Sequence, residues 1–313
     1  MAVRELRAVA ADGVVLTGSL WTPDAPGTPR SLLAMRPGSG PSDRDNDVLF
    51  PPIREAVLGL GVAVCSFDKR GVGESGGSWL TVDIATQAAD LTTCLSAAKA
   101  ALVSPGCASV DRIGLFGHSQ GGWVVLAAAG ATGADFVITT SGPGVSPRDQ
   151  ETYSTRIRLD ALGLVAERET AASATFDEFM LMLSDGVPFT EADEWMRDPS
   201  RRRAFEDLAD AGAFVPGDEA LWDFASKIVD DDPIESLRAL RVPLLAVFGA
   251  LDEVVPVEVS VERFRALVPP GLLSLRVIAD ADHRIQVPGT GAFAPGYLGS
   301  LTAFIEERLA VGA

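Results

Sequence analysis

The chain has 313 residues, 47% of them hydrophobic and 22% charged, with a formal charge of -17 and a pI of about 4.5. That size supports a sizeable core, as one large domain or a domain carrying an insertion. The acidic balance argues against nucleic acid or an anionic membrane surface as a partner, because both need a basic face.

Residues 4–10 and 14–21 read as two strands joined at Asp12-Gly13, a hairpin signal. A Pro/Gly turn is expected over 22–29. Residues 32–35 are a short apolar run, predicted as a buried strand, and a loop too rich in Gly and Pro to be regular follows over 36–45. A helix is expected over 53–60, closed by Gly61, and a strand over 62–67. The Gly-rich loop at 68–77 lacks the Gly-Lys-Ser/Thr ending of a phosphate-binding loop. Ile84, Ala88, Leu91, Leu95, Ala98 and Leu102 recur at helical spacing and predict a helix over 83–102.

Residues 113–116 predict a short buried strand and 124–129 a buried helix. Between them Gly117-His118-Ser119-Gln120-Gly121 matches Gly-x-Ser-x-Gly at a strand-to-helix turn. The chemistry explains the pattern. A serine hydroxyl is a weak nucleophile, so it must stand clear of the backbone where a base can reach it. A strained turn does this, and glycines two positions either side leave room for neighbouring backbone. The helix that follows aims free N–H groups at the serine, so the Gln120 amide is a candidate oxyanion donor.

A further strand is expected over 136–139. From 146 to 237 the strand-like runs stop and charged helical patterns take over. Their apolar members are Met180, Met182, Phe189, Trp195, Phe205, Phe214, Trp222 and Phe224. This stretch reads as a helical insertion, or cap, between core segments 1–145 and 238–313, and Arg201-Arg202-Arg203 reads as a solvated face. Strand texture returns over 242–248, followed by Gly249-Ala250-Leu251-Asp252. An amphipathic helix is predicted over 257–268, a strand over 272–278, a loop holding Asp280, Asp282 and His283, and a closing helix over 293–309. Strands alternating with helices imply parallel β-α-β units with helices on both faces of the sheet.

A serine nucleophile needs a base, and the chain has two histidines. His118 adjoins Ser119 within the turn, where its ring would point away from the hydroxyl, so it reads as a support or pocket residue. His283 follows the last predicted strand and is the candidate base. An acid must then fix its tautomer. Asp252 directly follows the strand over 242–248, on the sheet edge expected for Ser119. Asp280 and Asp282 are nearer His283 in sequence and stand as alternatives, too local to reach the ring in the right orientation. The second oxyanion donor should come from the loop after the 32–35 strand. Ser39 is the candidate there, flanked by Gly38 and Gly40, since Pro37 and Pro41 have no N–H.

Taken together, Gly-His-Ser-Gln-Gly-Gly at 117–122, Asp-Lys-Arg-Gly-Val-Gly-Glu-Ser at 68–75, Gly-Ser-Gly-Pro-Ser-Asp-Arg-Asp at 38–45, Gly-Ala-Leu-Asp at 249–252 and Ala-Asp-His at 281–283 resemble the α/β-hydrolase superfamily over nearly the whole chain. The resemblance implies a mostly parallel eight-stranded sheet with helices on both faces and a helical cap, and the order Ser119, Asp252, His283 is the one such enzymes use. The 38–45 motif is similar to a branch of carbonyl-ester hydrolases near serine-aminopeptidase-like and acyl-CoA thioester hydrolases. That branch usually carries a His-Gly lead-in, where this chain has Arg36-Pro37 ahead of the motif. The missing histidine leaves a backbone donor intact and bears on the shape and polarity of the acyl pocket.

The expected activity is a serine carboxylesterase for small or medium acyl groups, with a thioesterase, lactonase or aminopeptidase on the same machinery as the nearest rivals and a non-catalytic binding protein as a rival of another class. No metal or cofactor is implied, and a small-molecule acyl substrate is the one expected partner. Oligomeric state is open, a homodimer being compatible. The N-terminus has no apolar run of signal-peptide length, and no stretch is long enough to span a bilayer. Cys65, Cys94 and Cys107 read as buried free thiols of a reducing, cytoplasmic compartment.

Overall fold

Eight strands, β1 (Ala2–Val9), β2 (Val15–Thr22), β3 (Ser31–Arg36), β4 (Ala63–Phe67), β5 (Arg112–His118), β6 (Phe136–Thr140), β7 (Leu244–Gly249) and β8 (Leu273–Ile278), form one sheet in the order β1-β2-β4-β3-β5-β6-β7-β8. The computed structural model describes residues 1–24, 29–103 and 110–310. Cys107 and residues 25–28 of the expected 22–29 turn lie outside the described residues. Strands β1, β2 and β4 pair antiparallel, and every other neighbouring pair is parallel. The mostly parallel eight-stranded α/β sheet read from the sequence is the one observed.

The central strands are continuous apolar runs because both faces are covered. Along β3, Leu32 and Ala34 enter one core layer, and Leu33 and Met35 enter the other. Helices α2 (Ile84–Leu102) and α3 (Gln120–Thr132) pack on the first layer. Helix α1 (Phe50–Leu58) packs on the second. Helix α2 starts where Asp83 accepts the Thr86 amide at 2.7 Å, an N-cap that satisfies one orphan donor.

Between β6 and β7 the chain builds six helices: α4 (Pro147–Ala161), α5 (Ala166–Ser184), α6 (Phe189–Met196), α7 (Arg202–Asp210), α8 (Glu219–Ile228) and α9 (Ile234–Ala239). Phe176, Phe179, Met180, Leu183, Leu208 and Trp222 form a cluster of their own within these helices. Phe224 instead joins the sheet-side core, where its ring meets Trp79 edge-on at 4.9 Å. Arg202 and Arg203 are exposed, and Arg203 pairs with Glu206 and Asp207, as a solvated face would.

Helix α10 (Val257–Leu267) leads to β8, and α11 (Tyr297–Ala310) closes the fold. Three helices differ from the sequence reading, among them α3, expected over 124–129 and observed over Gln120–Thr132 because the turn at Ser119 passes straight into it. Helix α1 begins at Phe50, because Pro51 and Pro52 fit a first turn whose N–H groups need no partner. Helix α11 begins at Tyr297 rather than 293, because Gly296 at φ +85° breaks the turn ahead of it and Phe293 is drawn into a bridge with Gln286.

Candidate active site

Strand order reverses between β3 and β5: β4 lies to one side, and β6 to β8 follow on the other. A crevice opens beyond the carboxyl ends of strands at such a switch point. Ser119 sits there, in the one-residue turn from β5 to α3, at φ 53° and ψ -124°. A non-glycine residue is rarely found in this region, which costs on the order of 1–3 kcal/mol. The turn holds because neighbouring backbone comes within touching distance. A Cβ on Gly117 would lie 2.2 Å from the Gly121 carbonyl oxygen, and one on Gly121 would lie 2.3 Å from the Arg36 oxygen. The Ser119 amide donates to the Thr140 carbonyl at 3.0 Å, and its own carbonyl accepts from Gly122 at 2.7 Å.

Asp252 follows β7 and is 3% exposed. Its Oδ1 accepts the amides of Val254 at 2.8 Å and Val255 at 2.9 Å. His283, in the loop after β8, points Nδ1 at the same carboxylate, 2.9 Å from Oδ2 and 3.1 Å from Oδ1. A carboxylate can only accept, so Nδ1 carries the hydrogen and Nε2 is left with its lone pair. The Leu251 amide donates to the Ala281 carbonyl at 2.9 Å, tying the Asp252 loop to the His283 loop. Asp282 accepts the amides of Arg284 and Gln286 at 2.8 and 3.0 Å, so it shapes the loop rather than the ring, and Asp280 is exposed.

His118 is 5% exposed, and burial, with His283 beside it, pulls its pKa down to about 3. It is a neutral ring in a directed chain of hydrogen bonds. Nε2 donates to the main-chain carbonyl of His283 at 3.3 Å, so Nδ1 accepts from the Asn46 side-chain amide at 3.1 Å. Asn46 Oδ1 in turn accepts the Gly38 amide at 3.3 Å. One polar thread thus runs from the β3 loop through the turn to the His283 loop.

Ser39 and Gln120 line the same cavity as Ser119. Among the described residues neither of their amides has a protein acceptor. Two cavities meet at Ser119 and Ser39. One, of about 480 Å³, is bounded also by Gly38, His118 and His283. The other, of about 280 Å³, runs between the turn and the helices that follow β6, with Trp79, Trp123, Met180, Phe214, Phe224 and Ile228 among its walls. Gln150 and Glu151 add the polar part of that lining. Burial raises the Glu151 pKa, opposed by the amide that Gln150 donates at 3.2 Å.

Arg36, in the departing lead-in, turns into the core, where its guanidinium donates to Gln87 at 2.7 Å, and it lines neither of these cavities. Sequence reasoning passed over Asn46, Lys69 and Glu151. Asn46 carries one weak signal, a loop asparagine that can take up a positive φ, here 46°. Lys69 carries another, a cation two residues behind a buried strand.

The chain matches the family model of serine aminopeptidases, S33, over residues 50–287. A comparison with curated proteins finds no match. Among solved structures, DcsB in complex with its substrate analogue superposes with a TM-score of 0.64 at 20% identity, covering 99% of this chain and 100% of that one. A proline iminopeptidase from Mycobacterium smegmatis gives 0.61 at 18%, covering 98% and 100%. The Pyrococcus furiosus esterase Pf2001 gives 0.60 at 17%, covering 98% and 90%. At these identities the structures share the fold. With its sheet, its strained turn and this family match, the chain belongs to the serine aminopeptidase S33 family of α/β-hydrolase enzymes.

Proposed function

We propose that the chain is a serine esterase that cleaves carboxylic esters of small to medium acyl groups through an acyl-enzyme on Ser119. The observation that carries the reading is the Asp252–His283 contact, made at the sheet edge where Ser119 is raised on a strained turn. In the first half-reaction His283 Nε2 takes the Ser119 proton as Oγ bonds to the carbonyl carbon. Asp252 holds the ring and stabilises its charged form. The amides of Ser39 and Gln120 receive the oxyanion. Collapse expels the alcohol, which leaves with the proton from His283. Water repeats the sequence on the acyl-enzyme, releasing the acid and restoring the serine.

The helices over 146–237 act in this reading as a cap. The apolar wall of the 280 Å³ cavity, drawn from both cap and core, supports an acyl chain or aryl group as the occupant. Among the described residues the lining holds no Arg, Lys or His to clamp an acyl carboxylate, which fits a neutral ester. The acidic composition and the buried free thiols Cys65 and Cys94 support a cytoplasmic setting without nucleic-acid partners.

One observation favours a second reading. Glu151 puts a carboxyl group into the same cavity, where an amino group on the acyl portion would find a partner. That is the chemistry of an aminopeptidase, and the family match carries the same word. A panel of p-nitrophenyl esters, acyl thioesters and aminoacyl arylamides separates the two. Turnover of butyrate or hexanoate esters at least tenfold above any arylamide supports the esterase; the reverse order supports the peptidase.

A further inference from the structure

Lys69 lies two residues past the end of β4, and at 3% exposure it is among the most deeply buried charged residues described. Its neighbours in sequence are ion-paired: Asp68 holds Arg44, and Arg70 holds Asp90 and Asp12. Lys69 is different. Among the described residues no carboxylate lies within ion-pairing distance of it. Its Nζ donates to the Gly38 carbonyl and, at 2.7 Å, to the side-chain oxygen of Gln120. Burial, reinforced by the Arg36 charge, holds the ammonium well below the usual lysine range. A lysine with only neutral partners in the interior costs stability, and an apolar chain of the same length would not.

Its two partners are the segments that bracket Ser119. The Gly38 carbonyl and the Ser39 N–H belong to one peptide unit. A donor on the carbonyl oxygen draws electron density through that unit and makes the N–H at its other end a stronger donor. Gln120 supplies the facing amide and is held by the same nitrogen through its side chain. We propose that Lys69 is a positioning residue for the oxyanion site: it clamps the β3 loop to the β5–α3 turn and polarises the Gly38–Ser39 peptide. The proposal rests on the reading of Ser39 and Gln120 as oxyanion donors. Lys69 itself touches neither substrate nor Ser119. Its effect is strongest when the peptide faces a full negative charge, so it acts on the transition state and leaves ground-state binding nearly unchanged.

The test is Lys69→Met, which keeps the length and removes the donor, assayed beside wild type with an ester and with a trifluoromethyl ketone. The ketone adds Ser119 Oγ at its carbonyl carbon, the proton passes to His283, and the new oxyanion sits between the two amides. The expected result is a kcat lower by about 10- to 100-fold, a KM within about twofold, and a ketone Ki raised by the same factor as kcat/KM falls. Lys69→Gln, which keeps a neutral donor, falls between the two and serves also if Lys69→Met does not fold. A folded variant with unchanged kcat and Ki overturns the Lys69 role. So does a change confined to KM or to thermal stability. Wild type that forms no ketone adduct, or forms one that survives Ser119→Ala, overturns the underlying reading instead.

Discussion

Asp252 meets the inner ring nitrogen of His283 with both carboxylate oxygens, at 2.9 and 3.1 Å, across 31 positions of sequence. Two backbone amides, from Val254 and Val255, fix the acid from behind. The His283 ring therefore has one tautomer and one orientation, both set by loops that follow neighbouring strands β7 and β8.

Replacing that carboxylate should cripple turnover without unfolding the chain. Asp252→Asn presents an amide that can donate to the ring and favours the wrong tautomer, so kcat should fall by about 10³- to 10⁴-fold. Asp280→Asn, at an exposed position with no side-chain contact to the ring among the described residues, should stay within about twofold of wild type. Steady-state kinetics on one ester decides between them. A large loss in Asp280→Asn with little in Asp252→Asn would reassign the acid.

His118 should shape the acid limb of stability. Its pKa is about 3 in the folded chain against 6.5 when exposed. The unfolded chain therefore binds the extra proton below 6.5 while the folded chain does not. The contribution is complete above pH 6.5 and is lost as pH falls toward 3, at up to about 1.4 kcal/mol per unit. Between pH 7 and 5, wild type should lose about 2 kcal/mol more than His118→Asn in urea unfolding. Parallel losses in the two proteins would show that the ring is not held neutral.

The proposed acyl site, the 280 Å³ cavity, should respond to Trp79, whose ring meets Phe224 edge-on at 4.9 Å where core and following helices join. Trp79→Ala opens that wall. The ratio of kcat/KM for an octanoyl over a butyryl ester should rise by about tenfold, the order of discrimination a few methylenes can give. An unchanged ratio would place the acyl chain elsewhere, with the 480 Å³ cleft the next candidate.

Much of the fold is legible in the sequence because a parallel sheet buried on both faces leaves continuous apolar runs, such as Leu244 to Phe248, punctuated by Gly-rich loops. Ser119 is legible because its turn needs glycines at fixed offsets, where backbone atoms pass within 2.3 Å of an absent Cβ. Asp252 and His283 stand out as polar residues just behind apolar strands. Lys69 and Asn46 do not, because each holds a main-chain atom of Gly38, its carbonyl or its amide, besides one neutral side chain, Gln120 or His118. Backbone partners leave no complementary residue type to search for. Glu151 is hidden for another reason. It lies on α4, among many charged residues at helical spacing, and only packing distinguishes the one that faces the cavity. The late start of α11 came from Pro295-Gly296, a breaker inside an otherwise helical pattern.

The central claim is that Ser119 is an activated nucleophile, and it is tested most directly by intact mass spectrometry after exposure to a fluorophosphonate. One adduct is expected per chain, mapped by peptide sequencing to Ser119, absent in Ser119→Ala and slowed strongly in Asp252→Asn. The Ser119→Ala chain should retain its unfolding midpoint while losing about 10⁶-fold in kcat. Labelling at another residue, or full turnover by Ser119→Ala, would contradict the account.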